Sequence, residues 1–362
     1  MKNKLDSPKH LNESHLTSDE QRLVDTINNK TNTLNLNNVT RTQSYIEFYL
    51  DHPEIQWALL GHLVSRNGGW NMTDLKGEYL SKLLSEKEQD DFFMFLERGN
   101  WLIFQDVYPQ FLLYEESLKS NRPLFHLLPY LQVSAFMEPV WNYFWCFGDR
   151  YTLAIALVIN EQSYLEQRVM KNKQFKSNVI ESIEFSLQDL LSLNHILFPV
   201  FAMFAKTRLV GQSLHYFTSL HERILLGKRL YSVLFDDEER LRNILNWAKR
   251  NPHTGSRKDY WVHLFNDVKE TLPGRLYNPQ IKDCKLKQGA SKIFSPQLQY
   301  AWPNVKHLSA STEDWFKDFS AADYLKTQYI HVDGEIEHAY CKSLETLSFT
   351  VFTKKAIFFR KR

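Results

Sequence analysis

The chain contains 362 residues, of which 43% are hydrophobic and 24% are charged, and its formal net charge is +2 at pH 7. This composition is ordinary for a globular protein and excludes an intrinsically disordered or collagen-like chain. The sequence contains only 12 glycines, and neither of the glycine-rich patterns that bind nucleotide phosphates occurs in it.

No targeting or membrane segment is evident in the sequence. The residues after Met1 lack the apolar stretch of a secretory signal, and the longest apolar runs are interrupted by charges or proline. The three cysteines, Cys146, Cys284 and Cys341, are widely spaced and include no CxxC pair. These features predict a cytoplasmic protein with no disulfide framework, no zinc ribbon and no cofactor.

The N-terminal part predicts a loose arm followed by helices. Residues 1–16 are polar and lack periodicity. Thr17 with Glu20, and Ser85 with Glu88, form capping-box patterns that predict helix starts. Gly99 is expected to end the second of these helices.

The middle of the chain predicts further buried helices. Apolar residues over 127–147 and 151–169 predict two helical stretches that meet at Gly148-Asp149. A helix is expected to open at Ser186 and to kink at Pro199. His195, within this run, is expected to be a hydrogen-bonded core histidine.

The following residues continue this helical pattern to position 250. A helix over 211–226 is expected next. Asp236 and Asp237 place negative charge at the start of another helix, and Lys249 and Arg250 place positive charge at its end.

The C-terminal part has a different character. Six prolines and glycines fall within 272–311 and predict a long irregular excursion. A short helix is expected to open at Ser311 or Thr312. Residues 348–353 alternate polar and apolar side chains, which is typical of a strand.

Together these patterns predict an all-α protein, an irregular multi-helix bundle with a long irregular loop and at most a minor β element near the C-terminus. The expected domains are a flexible arm (1–16), a main helical domain (17–271) and a loop-rich segment with short helices packed on it (272–362).

The most unusual stretch for chemistry is 64–75. It combines an arginine fork, polar amides, an aromatic face and an acid around two adjacent glycines, and the candidate ligand-binding residues are Arg66, Asn67, Trp70, Asn71 and Asp74. Such a set suits a carboxylate or phosphate ligand. The alternative is structural, with a helix stop at Gly68-Gly69, Trp70 in the core and Arg66 bonded to free helix carbonyls.

The same region carries a resemblance to known proteins. The runs at 37–42, 52–60 and 64–75 resemble the YppC-like family of uncharacterised bacterial proteins. The resemblance covers most of the chain beyond the arm. It implies a bacterial cytoplasmic protein and supplies no catalytic residues.

A weaker candidate is a metal site at His331, Glu335 and His338. On a helix, Glu335 and His338 share a face at a spacing that carboxylate-bridged metal centres use. No second Glu-x-x-His motif completes such a centre, and Asp333-Gly334 is typical of a helix start. The alternative is therefore a solvated helical turn.

Basic residues form the third candidate. Residues 206–258 and the last nine residues carry lysines and arginines between aromatic side chains, a mixture that suits nucleic acid or an anionic membrane surface. The alternative is a set of solvated helix faces.

Three functional hypotheses follow. The favoured one is a non-enzymatic binding or scaffold protein with a protein or small-molecule partner. The second is a small-ligand-binding protein or enzyme that uses the 66–74 stretch. The third is a nucleic-acid or membrane-surface binder. No sequence motif decides whether the protein is an enzyme.

Overall fold

The computed structural model describes residues 16–175, 194–201, 207–270, 277–326 and 330–359. Within these ranges the chain is mainly α-helical with small strands, which confirms the predicted fold class. The predicted arm lies outside the described residues except for Leu16.

The α-helices are α1 (Ser18–Leu34), α2 (Asn38–Asp51), α3 (Gln56–Asp74), α4 (Leu80–Leu83), α5 (Glu86–Lys119), α6 (Met137–Phe147), α7 (Arg150–Leu165), α8 (Lys173–Phe175), α9 (Leu220–Phe235), α10 (Glu238–Arg250), α11 (Leu298–Ala301), α12 (Asp323–Lys326) and α13 (Glu337–Phe359). The strands are β1 (His195–Phe201), β2 (Thr207–Ser213), β3 (Phe265–Asn266), β4 (Ile281–Lys282), β5 (Lys285–Leu286) and β6 (Ile293–Phe294). Short 3₁₀ helices occur at Phe125–Leu131, Arg257–Asp259 and Phe319–Ala322, and a π-helical segment at Glu166–Met170.

Helix starts follow the predicted capping chemistry. Thr17 and Ser85 form complete capping boxes at the starts of α1 and α5. Gly148 ends α6 with φ +65°, and the side chain of Asp149 accepts from the Thr152 N–H to start α7. Asp237 caps α10 as its charge pattern predicts. A cap uses only neighbouring residues, so the sequence contains the whole interaction.

Helix ends were predicted less well. The stops expected at Gly99 and at Gly68-Gly69 are wrong, because α5 continues to Lys119 and α3 continues to Asp74. Glycine costs a helix only about 1 kcal/mol relative to alanine. The packing of the helix residues before and after each glycine outweighs that cost.

A β-hairpin replaces the helix expected around Pro199. Strands β1 and β2 are antiparallel, with Pro199 opposite Leu209. The helix predicted over 211–226 begins only at Leu220, while the start predicted at Ser186 lies outside the described residues. A short apolar run does not distinguish a buried strand from a buried helix by periodicity.

The C-terminal segment reverses two further predictions. Residues 348–353 belong to helix α13, in which Leu344, Leu347 and Val351 form one buried stripe at helical spacing. No helix opens at Ser311, and the next helical turn begins at Phe319. The irregular excursion is borne out over its described residues from 277 onward, where only short strands and one helical turn occur.

Helix α3 lies at the centre of the fold. It packs against α2, α5, α7 and strand β1, and most of its nineteen residues are buried. Trp70 is completely buried, with its ring centroid 4.3 Å from that of Tyr260 and 6.3 Å from that of His253. Trp70 therefore anchors the core, as the structural alternative predicted.

We expect Trp70→Ala to lower the free energy of unfolding by about 3–5 kcal/mol, because it empties a fully enclosed site. Urea unfolding followed by circular dichroism measures this change. Phe147→Ala is the control, since this side chain is 71% exposed and its removal leaves no cavity. Similar midpoints for the two variants would contradict the anchoring role.

Candidate functional site

The five predicted ligand-binding residues all lie on α3, and the first four are buried. Arg66 is 0% exposed. Its Nη2 donates to the backbone oxygen of Asn251, the residue that ends α10, and its guanidinium lies 4.5 Å from the ring centroid of Trp247. Burial lowers its pKa to about 10, so the side chain still carries its charge. Its Nε and Nη1 have no hydrogen-bond partner among the described residues.

Asn67 acts as a partner for strand β1. Its Nδ2 donates to the Leu197 oxygen at 2.9 Å, and its Oδ1 accepts from the Leu197 N–H at 2.8 Å. The side-chain amide thus reproduces the paired bonds of a neighbouring strand. This arrangement holds the hairpin on α3.

Asn71 and Asp74 share one arginine that sequence reasoning missed. Arg257 donates from Nε to Asp74 Oδ2 at 2.5 Å and from Nη2 to Asn71 Oδ1 at 3.1 Å. Its Nη1 donates to the hydroxyls of Tyr260 and Tyr340 at 2.7 and 2.9 Å. Burial acts against the charge, but Asp74 and the two tyrosines keep the pKa of Arg257 well above its usual value.

The glycine at position 69 leaves room for a second buried network. Asn38 Oδ1 lies 2.8 Å from His253 Nε2, and Asn38 Nδ2 donates to the Ser65 oxygen at 2.9 Å. His253 Nδ1 lies 3.5 Å from Asp259 Oδ2. A Cβ on Gly69 would lie 2.3 Å from the Asn38 oxygen and 2.5 Å from the His253 nitrogen. Only glycine fits at position 69 without displacing Asn38 or His253.

The weak metal candidate is not assembled. His331 Nδ1 pairs with Asp236 at 2.8 Å. Glu335 lies on an extended segment bridged to Val210, so the helical face predicted for Glu335 and His338 is wrong, since α13 begins only at Glu337. In the described part of the chain, no group of three or more His, Cys, Asp or Glu side chains is placed to hold a metal ion.

Several basic residues of the 206–258 cluster are engaged within the chain. Arg223 pairs with Glu166 at 2.6 Å and Lys258 with Asp267 at 2.7 Å, while Arg257 is buried as described above. Lys354 of the C-terminal cluster donates to the Leu83 oxygen at 2.8 Å. The side chains of the last positively charged residues, from Lys355 onward, lie outside the described part.

An open pocket of about 640 Å³ lies where the first turns of α13 meet strand β2 and the β4–β5 hairpin. Its lining includes both signs of charge and two cysteines that form a disulfide. The lining residues are Arg208, Asp283, Cys284, Glu335, Glu337, His338, Cys341, Lys342 and Glu345.

The disulfide joins Cys284 to Cys341, with their Cα atoms 5.4 Å apart, and Cys146 is a free, exposed cysteine. The expectation of no disulfide is therefore wrong. The pair could not be predicted from the spacing of the cysteines, because they lie 57 positions apart and only folding brings them together. Cys284 lies in the two-residue turn of the β4–β5 hairpin, with φ +58° beside +50° at Asp283.

Two acids of the pocket bind the backbone. Glu345 Oε1 accepts from the Cys284 N–H at 3.4 Å, and Glu337 Oε2 accepts from the Leu209 N–H at 3.1 Å. The side chains of the other five charged or imidazole-bearing lining residues have no hydrogen-bond or ion-pair partner within the described ranges; these are Arg208, Asp283, Glu335, His338 and Lys342. This pocket was not predicted, since its residues come from three separate parts of the chain.

His195 fixes the hairpin against the helix that forms the pocket wall. Its Nδ1 lies 2.6 Å from Ser213 Oγ and its Nε2 lies 2.9 Å from Ser343 Oγ. Burial, together with the charge of Arg257, lowers its pKa to about 4. His195 is thus the hydrogen-bonded core histidine that the sequence predicted.

The comparisons with known proteins assign the family. The chain matches the family described as "Protein of unknown function (DUF2515)" over residues 33–341. The chain belongs to this family. It is 38% identical over 297 residues to "Uncharacterized protein YppC" of Bacillus subtilis (strain 168), across 82% of this chain and 84% of that protein. The resemblance found in the sequence is confirmed, and no solved structure matches the chain significantly.

Across the described helices, none combines the length and the apolar character that a bilayer span requires. The cytoplasmic location stays a prediction.

We expect Gly69→Ala to destabilise the protein by about 1–3 kcal/mol, since the new methyl group displaces Asn38 or His253. Gly99→Ala is the matched control, because its nearest atom outside the helix backbone is 3.9 Å away and alanine favours a helix. Thermal unfolding of both variants measures the difference. Equal melting temperatures for the two variants would refute the close contact of Gly69 with Asn38 and His253.

We expect His195 to make stability depend on pH between about 6.5 and about 4. In this window the unfolded state binds a proton on His195 that the folded state does not. The stability that the neutral imidazole contributes is therefore complete above pH 6.5 and is lost as the pH falls towards about 4. His195→Asn should flatten this dependence in urea unfolding across the range. An unchanged slope in His195→Asn would disprove the assignment.

Proposed function

We propose that the protein is a binding protein for a small ligand that carries both a positive and a negative group, such as a short unblocked peptide, and that the α13 pocket binds it. The observation that carries this proposal is the set of unpaired charges of both signs on the pocket walls. The volume of about 640 Å³ is typical of small-molecule sites.

The buried polar residues of α3 favour a structural role over the ligand site that the sequence predicted. Asn67 binds the backbone of Leu197, and Asn71 and Asp74 both bind Arg257. Buried polar groups need such partners because an unpaired one costs about 1–3 kcal/mol. These contacts support α3 as a scaffold that positions the hairpin and the residues around Arg257.

The charges of the pocket suit the two ends of one ligand. Arg208 and Lys342 supply N–H donors for a carboxylate, while Asp283 and Glu335 supply acceptors for an ammonium group. All four side chains are exposed, so each is hydrated in the free protein and available to a ligand. A molecule with one charge alone would leave half of these groups without a partner.

Triglycine is the probe we would use, with isothermal titration calorimetry as the measurement. We expect binding to the wild type and an affinity about tenfold lower in Lys342→Gln, since one charge-assisted hydrogen bond contributes about 1.5–3 kcal/mol. N-acetyl-triglycine amide, which lacks both charges, should bind more weakly still.

Lys285→Gln is the matched control, because Lys285 is an exposed lysine of the same hairpin that does not line the pocket. It should bind triglycine as the wild type does. The proposal fails if triglycine does not bind, or if Lys342→Gln and Lys285→Gln bind it equally well.

A further inference from the structure

The pocket contains a chemical group that charge recognition alone does not need. Both Cys284 and Cys341 line it, so the disulfide faces the space that a ligand occupies. Cys284 is partly exposed, while Cys341 is only 8% exposed. A molecule in the pocket therefore approaches Cys284 more readily than Cys341.

The backbone around Cys284 is held in an uncommon conformation. Asp283 and Cys284 both have positive φ, a backbone conformation that residues other than glycine, asparagine and aspartate rarely adopt. The strands on either side, β4 and β5, contain two residues each. So short a hairpin depends on its ties to α13, which are the disulfide and the bond from the Cys284 N–H to Glu345.

Charges of both signs lie near the sulfurs. Lys342 follows Cys341 directly on α13, and Arg208 lies on the facing strand, so two positive groups are available to stabilise a thiolate. Glu337 and Glu345, two of the four lining acids, accept backbone N–H groups, and the other two are those assigned to the ammonium group of the ligand.

We propose that the Cys284–Cys341 disulfide is a redox-active site that exchanges with a small thiol bearing an ammonium and a carboxylate group. The placement of that thiol rests on the proposed function of the pocket. The exchange itself rests on the position of the disulfide in the pocket wall.

The reaction proceeds in two balanced steps. A thiolate attacks the Sγ of Cys284, the Cys284–Cys341 bond breaks, and its electron pair leaves on the Sγ of Cys341, which then takes up a proton. A second thiolate attacks the sulfur of the bound thiol and releases Cys284. Two small thiols are oxidised to one small disulfide, and the protein disulfide is reduced to two thiols.

The test uses the full chain carrying Cys146→Ser, which removes the free exposed thiol and leaves only the two bonded cysteines. The folded protein is incubated with L-cysteine, quenched with acid and alkylated. Intact mass and peptide mapping then follow the products. We expect a mixed disulfide on Cys284 and, at higher thiol concentration, two alkylated cysteines, all without unfolding.

Two comparisons test which sulfur reacts and why. Cys341→Ser leaves Cys284 free in the pocket and should form a mixed disulfide with L-cystine, whereas Cys284→Ser should lose most of this reaction because Cys341 is buried. Cysteamine lacks the carboxylate and should react more slowly than L-cysteine with the folded protein. The two rates are compared after each is divided by the rate of the same thiol with the urea-unfolded chain.

The outcomes separate the two proposals. If the disulfide reacts only after unfolding in urea while triglycine still binds, the exchange is overturned and the proposed function stands. If the folded protein reacts equally with L-cysteine and cysteamine, and triglycine does not slow the reaction, the exchange stands and the charge-based placement of the thiol is overturned together with the proposed function.

Discussion

The cost of burying a polar helix governs how the surrounding elements pack. Helix α3 lies at the centre of the fold, although it carries an arginine and several amides. Most polar groups of such a helix need partners, because unpaired ones in a low-dielectric interior are costly, and Nε and Nη1 of Arg66 are exceptions among the described residues. Asn67 pairs with strand β1 and Asn71 pairs with Arg257. The neighbouring elements are therefore placed by the hydrogen bonds that α3 requires.

The same constraint extends outward to the pocket. Arg257 binds Tyr340 of α13, and His195 of β1 lies within hydrogen-bond distance of Ser343 on that helix. These bonds fix the first turns of α13 against the β1–β2 hairpin. The pocket lies where these two elements meet, so its shape follows from the buried network, although its own charged side chains are exposed.

Part of the fold and of the site could be predicted from local patterns. The capping boxes at Thr17 and Ser85, and the helix junction at Gly148-Asp149, involve only residues a few positions apart. For Trp70 the sequence left a ligand site and a core role open, and its complete burial favours the core role. The hairpin around Pro199 and the helix at 348–353 could not be predicted, because the period of a short apolar run is ambiguous and packing decides between the two structures.

Composition and contacts between near neighbours are enough to give the helical class, the family and several helix boundaries. The inward position of Arg66 and Asn67, and the role of Arg257 as a buried centre of hydrogen bonding, emerge only from the folded chain. It alone placed Cys284 beside Cys341 and gathered the unpaired charges around them. The physical reason is that burial and pairing across long stretches of chain depend on which surfaces fold together, and no local pattern records that choice.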